Sequence, residues 1–158
     1  MANVYLKFGS SIKGDVTLSG HEGWIAVDSL HWGISRNVDT SIGGGSNRVK
    51  GHPSITDLTM SKYMDNSSPG LFNNLLTDQS GQQAQIDVCS SSDDIYCSYI
   101  LDNCLVSNIS TSSGGDKPVE TITLNFTRFT VVYTPRDAQG SPGSPMRQGY
   151  DVAQGVAV

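Results

Sequence analysis

Histidine, cysteine, serine and the acidic residues are the side chains from which catalysis or metal binding would have to be built, and here their spacing supports neither. His21, His31 and His52 fall among strand-like and loop-like stretches, none with a second ligand at metal spacing. Cys89, Cys97 and Cys104 match no zinc or redox motif, and an odd number argues against a complete disulfide set. They read as small residues packed in or beside strands, with their redox state left open. No Gly-x-Ser-x-Gly elbow is present, so a Ser-His-Asp set could only be assembled by picking freely among many serines and aspartates. Asp87 with Asp93 and Asp94 could form a paired-carboxylate site, but Asp93-Asp94 sits in a polar run between two strand-like segments and reads as a solvated turn. No catalytic residue, metal or cofactor is expected, and the protein reads as non-enzymatic.

The glycine triplet Gly43-Gly44-Gly45 raises a different possibility, a loop that cradles phosphate. Such a loop needs Gly-Lys-Ser/Thr opening a helix, whereas here Ser46-Asn47-Arg48 leads toward a strand-like run. The stretch from Asn37 to Pro53 has no helical or strand periodicity, and a loop of that length in a compact domain usually carries function. Its charge is distinctive. Arg48 and Lys50 outnumber Asp39, and Arg36 stands at its base, while the whole chain carries −5. A basic arm on an acidic body could dock on a second copy of the same chain.

The acidic balance disfavours nonspecific attraction to nucleic acid or an anionic bilayer, and Tyr5, Trp24, Trp32 and Tyr99 lack the interleaved Arg or Lys of a base-stacking platform. Neither nucleic-acid binding nor membrane insertion is expected. With 158 residues the chain suits a single domain, and its 16% of charged residues, low against the usual quarter, favours sheets, turns and uncharged contact surfaces. The start, MANVYLKFGSSIKGDV, lacks the basic opening and apolar stretch of a secretory signal. Synthesis as a soluble cytoplasmic protein is the expectation.

The elements that would position these residues are mostly strands. Val4 to Phe8 and Ile12 to Leu18 read as two short strands. From Trp24 to Arg36 the alternation changes phase: Ile25 and Val27 are apolar on odd positions, Leu30, Trp32 and Ile34 on even ones, which calls for a bulge near Asp28-Ser29. Ser29, His31 and Ser35 then share the polar face. Ile55 to Lys62 returns as a strand, and Asn66 to Pro69 opens one short helix, about 69–77, with a serine as N-cap and Pro69 at the first helical position. Ala84 to Cys89 and Ile95 to Ile109 form a hairpin-like pair. In the last strand Ile122, Leu124 and Phe126 alternate on even positions and Phe129, Val131 and Tyr133 on odd ones, so an extra residue near Thr127-Arg128 flips the face. Repeated flips in long strands are what a strongly curved or closed sheet requires. From Thr134 onward the Gly/Pro-rich composition predicts a flexible tail whose Tyr150, Val152, Val156 and Val158 could dock on a neighbour.

In order along the chain, Ser29-Leu30-His31-Trp32-Gly33, the Gly-rich arm, Thr59-Met60-Ser61-Lys62-Tyr63-Met64-Asp65-Asn66-Ser67-Ser68-Pro69, Glu120 to Phe126, and Tyr133-Thr134-Pro135 together resemble the Hcp family. These are the haemolysin-coregulated proteins that build the inner tube of bacterial type VI secretion systems, and the resemblance runs from about Ala2 to Asp151. It implies a mainly β fold, two curved antiparallel sheets in a barrel-like core with one short helix and a long inter-strand loop, over residues 1–134, followed by the tail at 135–158. It further implies a homo-hexameric ring, ring-on-ring stacking into a tube, effector cargo in the lumen, sheath and spike proteins as partners, and export without a signal peptide.

Within that resemblance the stacking loop spans Asn37 to Pro53, with Gly43, Gly44, Gly45, Asn47 and Arg48 at its heart and Arg36, Asp39 and Lys50 as its charges. Ser29 and His31 fall on the lumen side and are the cargo candidates. Leu30 stands where the family more often has an aromatic residue, and His31 where it has a small polar one. The rival readings are a phage-type tail-tube protein and a small secreted β-barrel enzyme or glycan-binding protein.

Overall fold

A computed structural model describes residues 3–39 and 49–158. Its strands are β1 (Asn3–Phe8), β2 (Ile25–Val27), β3 (Ser29–His31), β4 (Ile34–Asp39), β5 (Val49–Ile55), β6 (Leu58–Tyr63), β7 (Gln82–Cys89), β8 (Ile95–Ser112), β9 (Val119–Asn125), β10 (Arg128–Tyr133), β11 (Met146–Asp151) and β12 (Val156–Ala157), with the helix α1 (Ser68–Thr77) between β6 and β7. Two antiparallel sheets share the 18-residue strand β8. The first runs β12-β11-β10-β8-β7-β1-β2, and the second places β9 and then β6 and β3 beside the C-terminal half of β8. The sheets curve into a barrel-like core that does not close.

Both phase flips read in the sequence are the points where the chain changes sheet. Ile25 to Val27 pairs with β1 in the first sheet, and after Asp28 the chain pairs with β6 in the second. In the same way β9 lies in the second sheet, and beyond Phe126-Thr127 the chain continues as β10 in the first. A one-residue slip exchanges the faces, so each crossing keeps the apolar set turned inward. The strand β8 makes the same passage unbroken by bending at Asn103, whose φ of 52° is left-handed. Gly81 lies against that bend, where a Cβ would stand 2.5 Å from the Asn103 carbonyl carbon, so no larger residue fits without moving the backbone.

Leu6, Phe8, Ile25, Ile86, Leu101 and Phe129 face inward from the first sheet and Leu58, Met60, Ile122 and Leu124 from the second, with Leu71 of α1 closing one side. Each such fully buried side chain contributes about 1.5–3 kcal/mol relative to exposure. Asn74, on the same helix face as Leu71, is buried too; its Oδ1 accepts the Val106 N–H at 3.1 Å and its Nδ2 donates to Asp78 Oδ2 at 2.9 Å, pinning the helix to β8. Leu76, on the opposite face, is 79% exposed.

Several local expectations change. Residues 12–18 form no strand, although Gly14 and Val16 bond the backbone of Gly23 and Trp24. Trp24 to Arg36 holds parts of three strands, and Ile55 to Lys62 is broken at Thr56-Asp57, so Ser35 stands on a different strand from Ser29 and His31. Ser67 occupies the N-cap without a side-chain cap bond, because its hydroxyl donates to Asp65 instead. Residues 37–39 and 49–53, expected as loop, are strand. The tail is also structured: β11 pairs along the whole of β10, and β12 pairs with Tyr150 and Asp151. Its strands extend the first sheet past residue 134.

Candidate assembly surfaces

The second sheet turns two rows of side chains away from the core. Ser29, Ser61, Thr121 and Ser110 are aligned in one, and His31, Thr59, Thr123 and Asn108 in the next. Alternation dictates this, since Leu30, Met60, Ile122 and Ile109 between them point inward. Ser29 Oγ and Ser61 Oγ are 2.7 Å apart, and His31 is exposed. The two rows carry hydroxyls, one amide and one imidazole, with no Lys, Arg, Asp or Glu. Asp57 borders them, accepting Asn125 Nδ2 at 2.9 Å and Ser107 Oγ at 3.3 Å. The fold thus places both lumen candidates, Ser29 and His31, on one solvent-facing surface.

The hairpin β4–β5 prolongs the β3–β6 pair. Between the two, the Gly33 N–H donates to Thr56 Oγ1 at 2.7 Å and the Thr56 N–H to the Gly33 carbonyl at 3.0 Å, so pairing resumes at Ile34 opposite Ile55. The ladder runs to Asp39 opposite Val49, with a register shift between Arg36 and Val38. Arg36 is exposed on it, and Asp39 and Lys50 lie at its far end. Gly43, Gly44, Gly45, Asn47 and Arg48 lie outside the described residues. At the hairpin base an apolar recess of about 280 Å³ opens between Ile34 and Ile55 of the hairpin and Phe129, Val131 and Tyr150 of the first sheet.

Two buried polar clusters escape a reading of the sequence. Lys62 and Glu120, both 0% exposed, face each other across β6 and β9 with Nζ 2.7 Å from Oε1. Lys62 also meets Asp65 Oδ1 at 3.1 Å, and Ser68 Oγ, at the start of α1, donates to Glu120 at 2.7 Å. The cluster ties the helix N-terminus to the second sheet. On the first sheet, buried His21 places Nε2 2.9 Å from Asp87 Oδ2, stacked on Tyr5 and meeting Trp24 edge-on, while Ser98 and Gln85 donate to Asp87 Oδ1 at 2.7 and 3.0 Å.

Ser, His and Asp therefore do meet, but in an order unsuited to acyl transfer. In a catalytic set the imidazole lies between hydroxyl and carboxylate, so that it removes the hydroxyl proton. Here the Asp87 carboxylate lies in the middle and takes both donors, and the Ser98 oxygen gains no base. The alternation signal was available for Lys62 and Glu120, which continue the inward-facing series Leu58-Met60 and Ile122-Leu124.

Burial pushes the Cys104 thiol up to about 12, with the Asp57 charge adding to it, and the Cys89 thiol up to about 11, helped by Asp87, Asp93 and Asp94. Both are packed in strands as expected, and Cys97 is half-buried. Among the described residues no three His, Cys, Asp or Glu side chains converge on a metal position, and no helix is long and apolar enough to cross a membrane.

Comparison with known proteins places this geometry. A family model described as "Type VI secretion system effector, Hcp" matches residues 5–133. Protein hcp1 of Pseudomonas aeruginosa is 31% identical over 160 residues, covering 98% of this chain and 97% of that one. Among solved structures, a type six secretion system protein superposes with a TM-score of 0.91 at 23% identity over the whole of both chains. Hcp1 from Salmonella typhimurium superposes at 0.81 with 24% identity over 99% of each. These two likenesses speak to the fold.

Proposed function

Because the chain belongs to the Hcp family and is a tube protein of the type VI secretion system, we propose that it assembles as homo-hexameric rings, that the rings stack into the inner tube, and that the outward rows of the second sheet line the bore. The observation that carries this reading is the pair of uncharged rows around Ser29 and His31, set in line with a hairpin that projects beyond the same sheet. A bore lined by hydroxyls and an amide can hydrogen-bond a polypeptide without binding it by charge, which suits cargo that must also leave. Ser29 and His31 are the cargo contacts on this reading.

The unclosed sheets support lateral closure. A sheet that leaves an edge and an apolar recess uncovered offers a head-to-tail contact to another copy, and such a contact closes into a ring when the rotation suits. The hairpin supplies the separate axial contact, with Arg36 and Lys50 among its charges. The protein is non-enzymatic on this reading, made in the cytoplasm and exported with the tube, with the sheath around it and the spike at its tip as partners.

Native mass spectrometry tests the ring. A species of six 16.9 kDa chains is expected, and a stable monomer at micromolar concentration would exclude it. For the bore, a pull-down comparing wild type with His31→Ala is expected to change the set of captured effectors, and identical capture would remove His31 from the contact.

A further inference from the structure

We infer that Asp57, with Asn125 and Ser107 beside it, forms a further contact row in the bore that takes cargo by its Lys or Arg side chains, so that the occupant it selects is a polypeptide with an exposed basic segment. The inference rests on the bore reading and names the class of cargo that reading leaves open.

The row follows from alternation and register. Thr59 and Ser61 of β6 turn away from the core, and Asp57, two residues before Thr59, keeps that parity while Leu58 between them is buried. The register that sets Leu58 opposite Leu124 brings Asn125 across from Asp57. Ser107 is the extra residue where β8 shifts register between Val106 and Asn108, and this bulge brings its hydroxyl to the carboxylate. Two residues of strand set the row about 7 Å from the row of His31 and Thr59, on the hairpin side.

Across these three rows Asp57 is the single residue among Lys, Arg, Asp and Glu. Its own donors are both neutral. Asn125 Nδ2 donates to Oδ1 at 2.9 Å, while Ser107 Oγ stands 3.3 Å from Oδ2 and 3.1 Å from the Thr123 carbonyl, with one proton to serve both. A carboxylate offers about four acceptor positions, so both oxygens keep room for another donor. Among the described residues Asp57 forms no ion pair. The space beside it is open, because the chain has reached Gly33, where an added Cβ would meet only Thr56 Oγ1, at 3.9 Å.

An ammonium or guanidinium is the donor this held carboxylate lacks, and a hydrogen bond with charge on both partners is the shorter and stronger kind. In a ring the carboxylate recurs at every protomer on a wall that is otherwise uncharged, and charge of one sign inside a channel concentrates the opposite sign. Each contact stays individually weak and is screened by salt, so the cargo can still leave.

Two labelled peptides on the same Gly-Ser backbone, one carrying arginines and the other glutamates at the same positions, form the test. Their binding is read by fluorescence anisotropy on rings whose hexamer peak is checked by native mass spectrometry. Wild-type rings are expected to bind the arginine peptide at least about tenfold more tightly, a preference that shrinks as salt rises from about 0.05 M to about 0.5 M. Asp57→Asn is expected to keep the hexamer peak and lose most of the preference, and Asp57→Glu, which restores the charge, to keep it. Asp116→Asn removes the same charge from the exposed turn between β8 and β9, at the other end of the sheet, and is expected to bind as wild type does. Equal binding of the two peptides by wild-type rings, or an Asp116→Asn ring weakened as much as Asp57→Asn, would overturn the inference while leaving the ring intact. A wild-type protein that forms no hexamer would overturn the bore reading beneath it.

Discussion

Lys62 and Glu120 stand directly opposite one another across β6 and β9, their charged atoms 2.7 Å apart and both side chains fully buried. Breaking such a pair strands a charge in the interior, whereas replacing both partners with apolar groups removes the desolvation penalty as well. Lys62→Met is therefore expected to cost about 3–5 kcal/mol in urea unfolding, and Lys62→Met/Glu120→Leu to recover most of that loss. A double variant as unstable as the single one would show that the pair fixes the register of β6 on β9 beyond its own energy.

The second cluster gives a graded series. Asp87 accepts from His21, Ser98 and Gln85. Asp87→Ala leaves the buried His21 donor without a partner, a loss of about 1–3 kcal/mol for that group alone, while Ser98→Ala removes one ordinary bond worth about 0.5–1.5 kcal/mol. Chemical denaturation should rank Asp87→Ala well below Ser98→Ala; equal midpoints would contradict the central place of the carboxylate.

Thiol chemistry follows burial. With Cys104 raised to about 12 and Cys89 to about 11, their thiolates are scarce at pH 8, and both side chains are buried whereas Cys97 is half-buried, so a water-soluble disulfide reagent is expected to modify Cys97 before either. The stability consequence has a definite sign. Unfolding frees the Cys104 thiol toward its ordinary value of 9.0, so its contribution is fully present below pH 9.0 and is lost as pH rises from there toward about 12. Urea midpoints should fall across that window, and Cys104→Ala should flatten the fall; a midpoint that rises with pH would contradict it.

Deleting Gly43 to Asn47 shortens the arm and leaves the ladder from Ile34 to Asp39 in place. Hexamers are expected to persist while tubes disappear by negative-stain microscopy. Loss of the hexamer itself would place the arm within the ring.

How much of this was legible depended on where alternation is written. The phase flips at Asp28-Ser29 and Thr127-Arg128 were readable because one face of each strand is buried, and they proved to be crossings between sheets. The hairpin was not readable as strand: Ile34 to Val38 is exposed on both faces, so no apolar period is imposed on it. The tail strand β11 is Gly-bearing and mostly polar, and its conformation comes from the free edge of β10. His21 and Asp87 are far apart in sequence and meet only because the loop before β2 folds over the first sheet. Ser29 and His31 were placed on the correct solvent face by period alone, whereas Ser35, taken to continue it, left on the next strand after the break at Trp32-Gly33.

The most direct measurement of the central claim is a cryo-electron microscopy reconstruction of the assembled wild-type protein. Six-fold rings with Ser29 and His31 facing the bore and the β4–β5 hairpin crossing to the adjacent ring are the expected result. A reconstruction with those two residues on the outer wall, or particles without six-fold symmetry, would contradict the account.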